Sequence, residues 1–314
     1  MLNITTKHRT IFFGSSAASA LILEDLLHAP DIEVVAVVTQ PPKDHAHAHQ
    51  RITRVAQLAT EHNIALFTPH KLQEITSTLT ELEPEIGVLF AYGKILPDET
   101  LNLFPKGIVN IHPSLLPRHR GPAPLENTIL TGDSQAGTTI MLITSEMDAG
   151  PILAQSSFSV DSSLSKQQLW DQLIAESRSL LLPTLRDYIA GAISPQPQDP
   201  GITPTYSKLL KKTDGDIDPE AVGAAELIRI VRAYAGWPGV RLPVSLRGKI
   251  LPLTLHEVRQ ISSDKADAAQ LSCQNKQLIL HLKDGSVEIL RAQLPNKATV
   301  SGQDICNAGP IELA

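Results

Sequence analysis

The sequence predicts an α/β protein: a doubly wound, mainly parallel sheet occupies the first part of the chain and a small C-terminal β-barrel the last. Three observations predict it. Short β-branched runs alternate with helical stretches over the first hundred residues, a proline-rich stretch follows near residue 195, and the pattern then changes to short alternating runs with a hairpin signal.

The elements follow in order. Ile11-Phe12-Phe13 reads as a buried strand, and Gly14-Ser15-Ser16-Ala17 as a tight turn that opens a helix through Leu27. A strand at Val34–Thr39, a helix around Thr53–His62, a strand at Ala65–Thr68, a helix near Glu74–Leu82 and a strand at Ile86–Phe90 continue the rhythm. Such repetition implies right-handed crossovers and a ligand at the carboxyl ends of the strands. The first turn offers only Gly14 where a dinucleotide fingerprint needs three glycines, and no phosphate-cradling G-x-x-x-x-G-K-[ST] is present, so both nucleotide readings are rejected. From Gly191 to Tyr206 the sequence is GAISPQPQDPGITPTY, whose prolines favour extended backbone and suggest a linker. Beyond it come an amphipathic helix at Ala224–Tyr234 and alternating runs at Arg241–Leu246, Ile250–Val258, Leu278–Lys283 and Ser286–Leu290, with Lys283-Asp284-Gly285 as a hairpin turn. The expected organisation is an α/β domain over 1–190, a linker over 191–206 and a barrel-like domain over 207–314, in a monomer.

Composition narrows the class. The 314 residues are 42% hydrophobic and 19% charged, which suits a globular chain and excludes a disordered or collagen-like one. No apolar run approaches the roughly 18 residues that a bilayer crossing needs. The polar opening MLNITTKHRT holds no readable signal peptide, and the expected location is the cytoplasm. Two cysteines, Cys273 and Cys306, are expected to remain thiols. Net charge is −6 but unevenly spread: residues 1–200 carry 13 Lys and Arg against 21 Asp and Glu, whereas residues 201–314 carry 14 against 12. Between Leu227 and His256 stand Arg229, Arg232, Arg241, Arg247 and Lys249 without one acid, either a solvated face or a surface for phosphates.

The chemistry concentrates between Gly107 and Pro124, GIVNIHPSLLPRHRGPAP. On a strand at Ile108–His112, Asn110 and His112 are two residues apart and share a face. Pro113 ends the ladder, and a stiff loop follows. A lone histidine is most often satisfied by a backbone carbonyl; beside an asparagine, it suits stabilisation of an oxyanion. Met147-Asp148-Ala149-Gly150 then places a carboxylate in a glycine-containing turn, where Asp148 reads either as a turn or cap residue or as a functional carboxylate.

Taken together, N-x-H-x-S-L-L-P-x-x-R-G, G-D-x-x-x-G-T-T-I-M and D-A-G-P-I-L resemble the formyltransferase family that uses 10-formyltetrahydrofolate. Phe13-Gly14-Ser15, Thr39-Gln40-Pro41 and Ala91-Tyr92-Gly93 resemble further landmarks of that family. Thr205-Tyr206, Ile217-Asp218 and the run Arg232-Ala-Tyr-Ala-Gly-Trp237-Pro238 are similar to its branch that formylates initiator methionyl-tRNA. The resemblance implies a Rossmann-like catalytic domain, an OB-like C-terminal barrel, and 10-formyltetrahydrofolate as cosubstrate without a metal. It implies Asn110, His112 and Asp148 as catalytic residues, Ser114, Leu115, Leu116 and Pro117 at the folate, and Lys43, Arg51, Lys208, Arg229, Arg232 and Arg247 at the tRNA, with Lys211 and Lys212 nearby. A formyltransferase acting on an amino-sugar nucleotide is the nearest alternative.

The chain departs from the family pattern in three places. The first turn reads FFGSSAASA where relatives carry Gly-Thr-Pro, and Asp148-Ala-Gly-Pro replaces D-T-G-D. The loop after Pro41 reads PKDHAHAHQR in place of a basic run. There His45, His47 and His49 add charge only at lower pH; a metal site is set aside because no carboxylate or cysteine set completes it.

Overall fold

A computed structural model describes residues 7–42, 52–262 and 266–314. They gather into two compact units. One holds the residues up to Pro124 with 135–159 and 170–207; the other holds 125–134, 160–169 and 208–314.

In chain order the first unit contains β1 (His8–Gly14), α1 (Ala17–His28), β2 (Ile32–Val38), α2 (Arg54–Glu61), β3 (Ala65–Phe67), α3 (Thr76–Glu81), β4 (Ile86–Phe90), α4 (Asp98–Leu101) and β5 (Ile108–His112). Next in the chain come α5 (Pro124–Thr131), which past Pro124 belongs to the second unit, then β6 (Gln135–Leu142), β7 (Ile152–Ser159) and α6 (Lys166–Ile189), which belongs to the first from Trp170 onward. The sheet runs β3-β2-β1-β4-β5-β6-β7. Pairing is parallel from β3 to β5, and antiparallel across β5–β6 and β6–β7. The switch falls at β5, which pairs parallel with β4 on one side and antiparallel with β6 on the other.

β1, β4 and β5 are buried along most of their length, as central strands of a sheet covered on both faces must be. One core, with Ile22, Leu23 and Leu26 of α1 and Leu181 and Leu185 of α6, covers one face; a second, with Phe13, Tyr92 and Phe104, covers the other. Two charged forks pin α6: Arg178 donates to both oxygens of Asp25 at 2.7 Å, and Arg186 to both oxygens of Asp31 at 2.8 Å. Neither α6 nor the edge strand β7 was legible in the sequence as an element.

The proline-rich stretch is extended but does not dangle. Gln196 exchanges both backbone hydrogen bonds with Ile152, and Ser207 donates to the carbonyl of Arg120 at 2.7 Å. These contacts carry it along the first unit as far as Ser207.

The second unit contains α7 (Ala224–Ala233), β8 (Val240–Leu246), β9 (Lys249–Ser262), β10 (Gln270–Gln274), β11 (Gln277–Leu282), β12 (Gly285–Gln293), β13 (Thr299–Ser301), α8 (Gly302–Asn307) and β14 (Ile311–Leu313). Its antiparallel sheet runs β10-β11-β12-β9-β8-β14 around a core of Leu227, Val231, Leu242, Leu253, Leu280 and Val287. The expected hairpin is present, with Leu282 paired to Gly285. One expectation is corrected: Cys273 of β10 and Cys306 of α8 form a disulfide. The two cysteines lie 33 residues apart in sequence, but packing of α8 brings their Cα atoms within 5.8 Å.

Candidate active site

The site begins at β5, the strand at which the sheet turns from parallel to antiparallel. Asn110 and His112 project from one face of it and are 7% and 5% exposed. Among the described residues the Asn110 side chain has no hydrogen-bond partner, and its amide atoms are not among those fully sealed from solvent, so they are open to a ligand. His112 is differently placed. Its Nε2 lies 2.9 Å from the carbonyl of His119, and since a carbonyl only accepts, this nitrogen carries the hydrogen. The ordinary histidine arrangement is therefore present on one edge of the ring. On the other, Nδ1 faces Oδ1 of Asp148 at 3.8 Å.

Asp148 reaches that position from the segment following β6. Its φ is +48°, in the left-handed region that side chains with a Cβ seldom adopt. Its Oδ2 accepts from the backbone N–H of Gly121 at 2.7 Å. Gly121 has φ +105°, and a Cβ there would come within 2.6 Å of the Ser207 carbonyl. Only glycine lets the chain turn this donor toward the carboxylate. Gly150 is similarly constrained, since a Cβ would stand 1.8 Å from the Leu142 carbonyl.

The Ser114–Pro117 run is a scaffold for this turn. Ser114 Oγ donates to the Arg118 carbonyl, its own carbonyl accepts from Thr139 Oγ1 at 2.7 Å, and Leu116 N–H donates to the same hydroxyl. Gln155 donates to the Leu116 carbonyl at 3.1 Å, and Thr205 N–H to that of Pro117. These polar groups are engaged within the protein, and of the four residues only Leu115 is half-buried, the others being buried.

The three shorter landmarks meet in one hydrogen-bonded knot at neighbouring strand ends. Ser15 Oγ and Gln40 Nε2 both donate to the carbonyl of Tyr92, at 3.2 and 2.7 Å, and Gln40 N–H donates to Ser15 Oγ. The Tyr92 ring packs edge-on against Phe13; burial pushes its hydroxyl up to about 12, and the oxygen has no partner among the described residues.

The nucleic-acid candidates divide. Lys43 and Arg51, with the three histidines between them, lie outside the described residues. Lys208, Lys211 and Lys212 are exposed. Arg229 Nε donates to the Leu130 carbonyl at 2.9 Å, Arg232 to that of Ser162, and Arg247 to that of Ala308. Leu130 and Ala308 lie at the carboxyl ends of α5 and α8, where cations complement unpaired carbonyls. Burial lowers the Arg232 pKa, an effect that nearby Asp161 opposes, and its Nε is unpaired among the described residues. Among those residues no group of three or more His, Cys, Asp or Glu side chains could hold a metal ion.

Sequence reasoning passed over Gln155 and Gln198, and named Arg120 and Thr205 only as family landmarks without a role; each acts through a partner at least 39 positions away.

An α/β enzyme is the class this arrangement describes: an amide without a partner among the described residues shares a strand face with an imidazole that faces a carboxylate, at the carboxyl end of a central strand, where such sheets bind ligands. Comparison with known proteins narrows it. Residues 8–185 match the family described as formyl transferase, and residues 209–309 match the formyl transferase C-terminal domain. Methionyl-tRNA formyltransferase of Roseiflexus castenholzii is 37% identical over 299 residues, which cover 94% of each chain; that of Chloroflexus aurantiacus is 41% identical over 237 residues, 74% of each. A crystal structure of an N-formyltransferase from Helicobacter canadensis, in complex with folinic acid and dTDP-3-aminofucose, covers 92% of this chain and all of its own, with a TM-score of 0.67 at 16% identity, a likeness of fold. The chain belongs to the formyl transferase family.

Proposed function

We propose that this chain transfers the formyl group of 10-formyltetrahydrofolate to the α-amino group of initiator methionyl-tRNA, giving N-formylmethionyl-tRNA for translation initiation. One observation carries the choice of acceptor. The likeness to methionyl-tRNA formyltransferases extends at 37% identity over 94% of the chain, second unit included, whereas the sugar-formylating neighbour is similar at only 16%. The proposed setting is the cytoplasm, with the chain acting as a monomer. No helix among the described residues is long and apolar enough to cross a membrane.

The acceptor amine, with a free value near 7.7–8.0, needs little activation to attack a formyl carbon. Asn110 offers its unpartnered amide N–H to the oxygen that becomes negative during attack. His112 is held in place by the His119 carbonyl and turns its Nδ1 edge toward Asp148, so a proton arriving on that edge faces a carboxylate. Asp148 is the group through which the ammonium proton leaves, by way of water. The Ser114-Leu115-Leu116-Pro117 run contributes an apolar wall toward the folate, and the unpaired Asn110 amide is the feature that fits a formyl oxygen beside it. The folate supplies the activated formyl group.

The second unit holds the tRNA body. Lys208 presents a free-standing cation, while Arg229, Arg232 and Arg247 each use one of five N–H donors on a carbonyl and keep others for phosphates. Lys43 and Arg51 are assigned to the acceptor stem. The test is an acceptor panel with 10-formyltetrahydrofolate: initiator Met-tRNA, elongator Met-tRNA, an amino-sugar nucleotide and water. Transfer to initiator Met-tRNA at least tenfold faster than to any other acceptor is expected. Preferential transfer to the sugar amine, or release of formate alone, overturns the assignment.

A further inference from the structure

We propose that Gln198, oriented by Arg120, is a positioning residue for Asp148, an inference that rests on the reading of Asp148 as a participant in formyl transfer. The left-handed backbone of Asp148 is strained for a residue with a Cβ and persists only where its surroundings hold it. Two groups do so. The N–H of Gly121 donates to Oδ2, and Gln198 Nε2 donates to the backbone carbonyls of Asp148 at 2.8 Å and of Gly150 at 3.0 Å.

A side-chain amide can serve two carbonyls in this way only with its oxygen turned from them. Arg120 enforces that orientation: its Nε and Nη2 donate to Gln198 Oε1 at 3.2 and 2.8 Å. Arg120 is only 7% exposed. Its Nη1 reaches Glu146 and the Tyr206 hydroxyl, both at 3.3 Å, and its guanidinium lies 5.9 Å from the centre of the Tyr206 ring. Its own backbone donates to the Thr205 carbonyl and accepts from Ser207.

Both restraints on Asp148 therefore originate at adjacent residues. The side chain of Arg120 holds the Asp148 backbone through Gln198, and the N–H of Gly121 holds the carboxylate. What remains free is Oδ1, the oxygen that faces His112. Among the described residues Gln198 makes no hydrogen bond to Asn110 or His112, so any effect it has on the reaction passes through Asp148.

The experiment is a double-mutant cycle on the full-length chain, measuring kcat and KM for formyl transfer from 10-formyltetrahydrofolate to initiator Met-tRNA, with thermal unfolding of every variant. Gln198→Glu keeps the size of the side chain and still accepts from Arg120, but donates to neither carbonyl; Gln198→Ala removes all four contacts. Both should lower kcat about ten- to a hundredfold with KM for tRNA within about twofold. In an Asp148→Asn background the same substitutions should cost less than a further twofold. If Gln198→Ala fails to fold, Gln198→Glu carries the same comparison. A Gln198 variant with normal kcat, or one whose loss multiplies in full with that of Asp148→Asn, overturns the proposal. An Asp148→Asn enzyme with normal kcat instead overturns the underlying reading of Asp148, a result visible in the single variant alone.

Discussion

Nδ1 of His112 stands 3.8 Å from Oδ1 of Asp148, while Nε2 of the same ring is engaged by the His119 carbonyl. The imidazole thus has one edge fixed and one edge facing the carboxylate. Substituting His112 by Ala or Asp148 by Asn should each lower the single-turnover rate, and the double variant should be little worse than the slower single one, because groups acting as a unit are non-additive. Rates that multiply would mean that the two residues act separately.

Asn110 has a buried amide without a partner among the described residues, so its removal takes no hydrogen bond from the folded chain. Asn110→Ala should lower the chemical rate by about 10²–10³ while the unfolding free energy from urea titration stays within about 1 kcal/mol of wild type. Retention of more than half the single-turnover rate removes Asn110 from the mechanism.

The basic residues of the second unit should fall into two groups. Lys208→Gln should leave stability unchanged and reduce the log–log salt slope of tRNA binding by up to ~0.9. Arg229→Gln should lower the unfolding free energy by on the order of 1 kcal/mol, and the midpoint with it, because the Leu130 carbonyl loses its donor. A wild-type midpoint for Arg229→Gln would show that its contact adds nothing to the fold.

The Cys273–Cys306 bond closes a separation of 33 residues, for which chain entropy gives on the order of 3–4 kcal/mol. Thermal unfolding in the presence of dithiothreitol should shift the transition of the second unit downward, and a Cys273→Ser variant should show the lower value in either buffer. Coincident transitions for the wild-type chain with and without reductant would remove the bond from the account of its stability.

Hydrogen bonds from Arg186 hold the Asp31 carboxyl below its usual range. A group depressed in the folded state contributes fully above its unfolded value of about 3.9 and loses that contribution as pH falls through the folded value. Wild type should therefore exceed Asp31→Asn in urea midpoint at pH 7, with the difference shrinking below about pH 4. A difference that stays constant down to pH 2 would rule out the charge pairing as its source.

Local pattern carried much of this protein. Alternation placed β4 at Ile86–Phe90 and β5 at Ile108–His112 with their observed limits, and the two-residue spacing put Asn110 and His112 on one face, because side-chain direction in a strand depends only on position parity. The contiguous SLLP and D-A-G-P segments identified the family without any fold in view. Convergence was another matter. That Gln198 serves Asp148 fifty positions earlier, that Thr205 supports His119, and that three arginines in a phosphate-like cluster each hold a carbonyl are results of distant segments meeting. Proline content suggested a linker over residues 191–206, yet a non-helical chain is equally able to span two domains or to lie along one and bond to it. Such choices turn on packing and hydrogen bonds between residues remote in sequence, which no local period encodes.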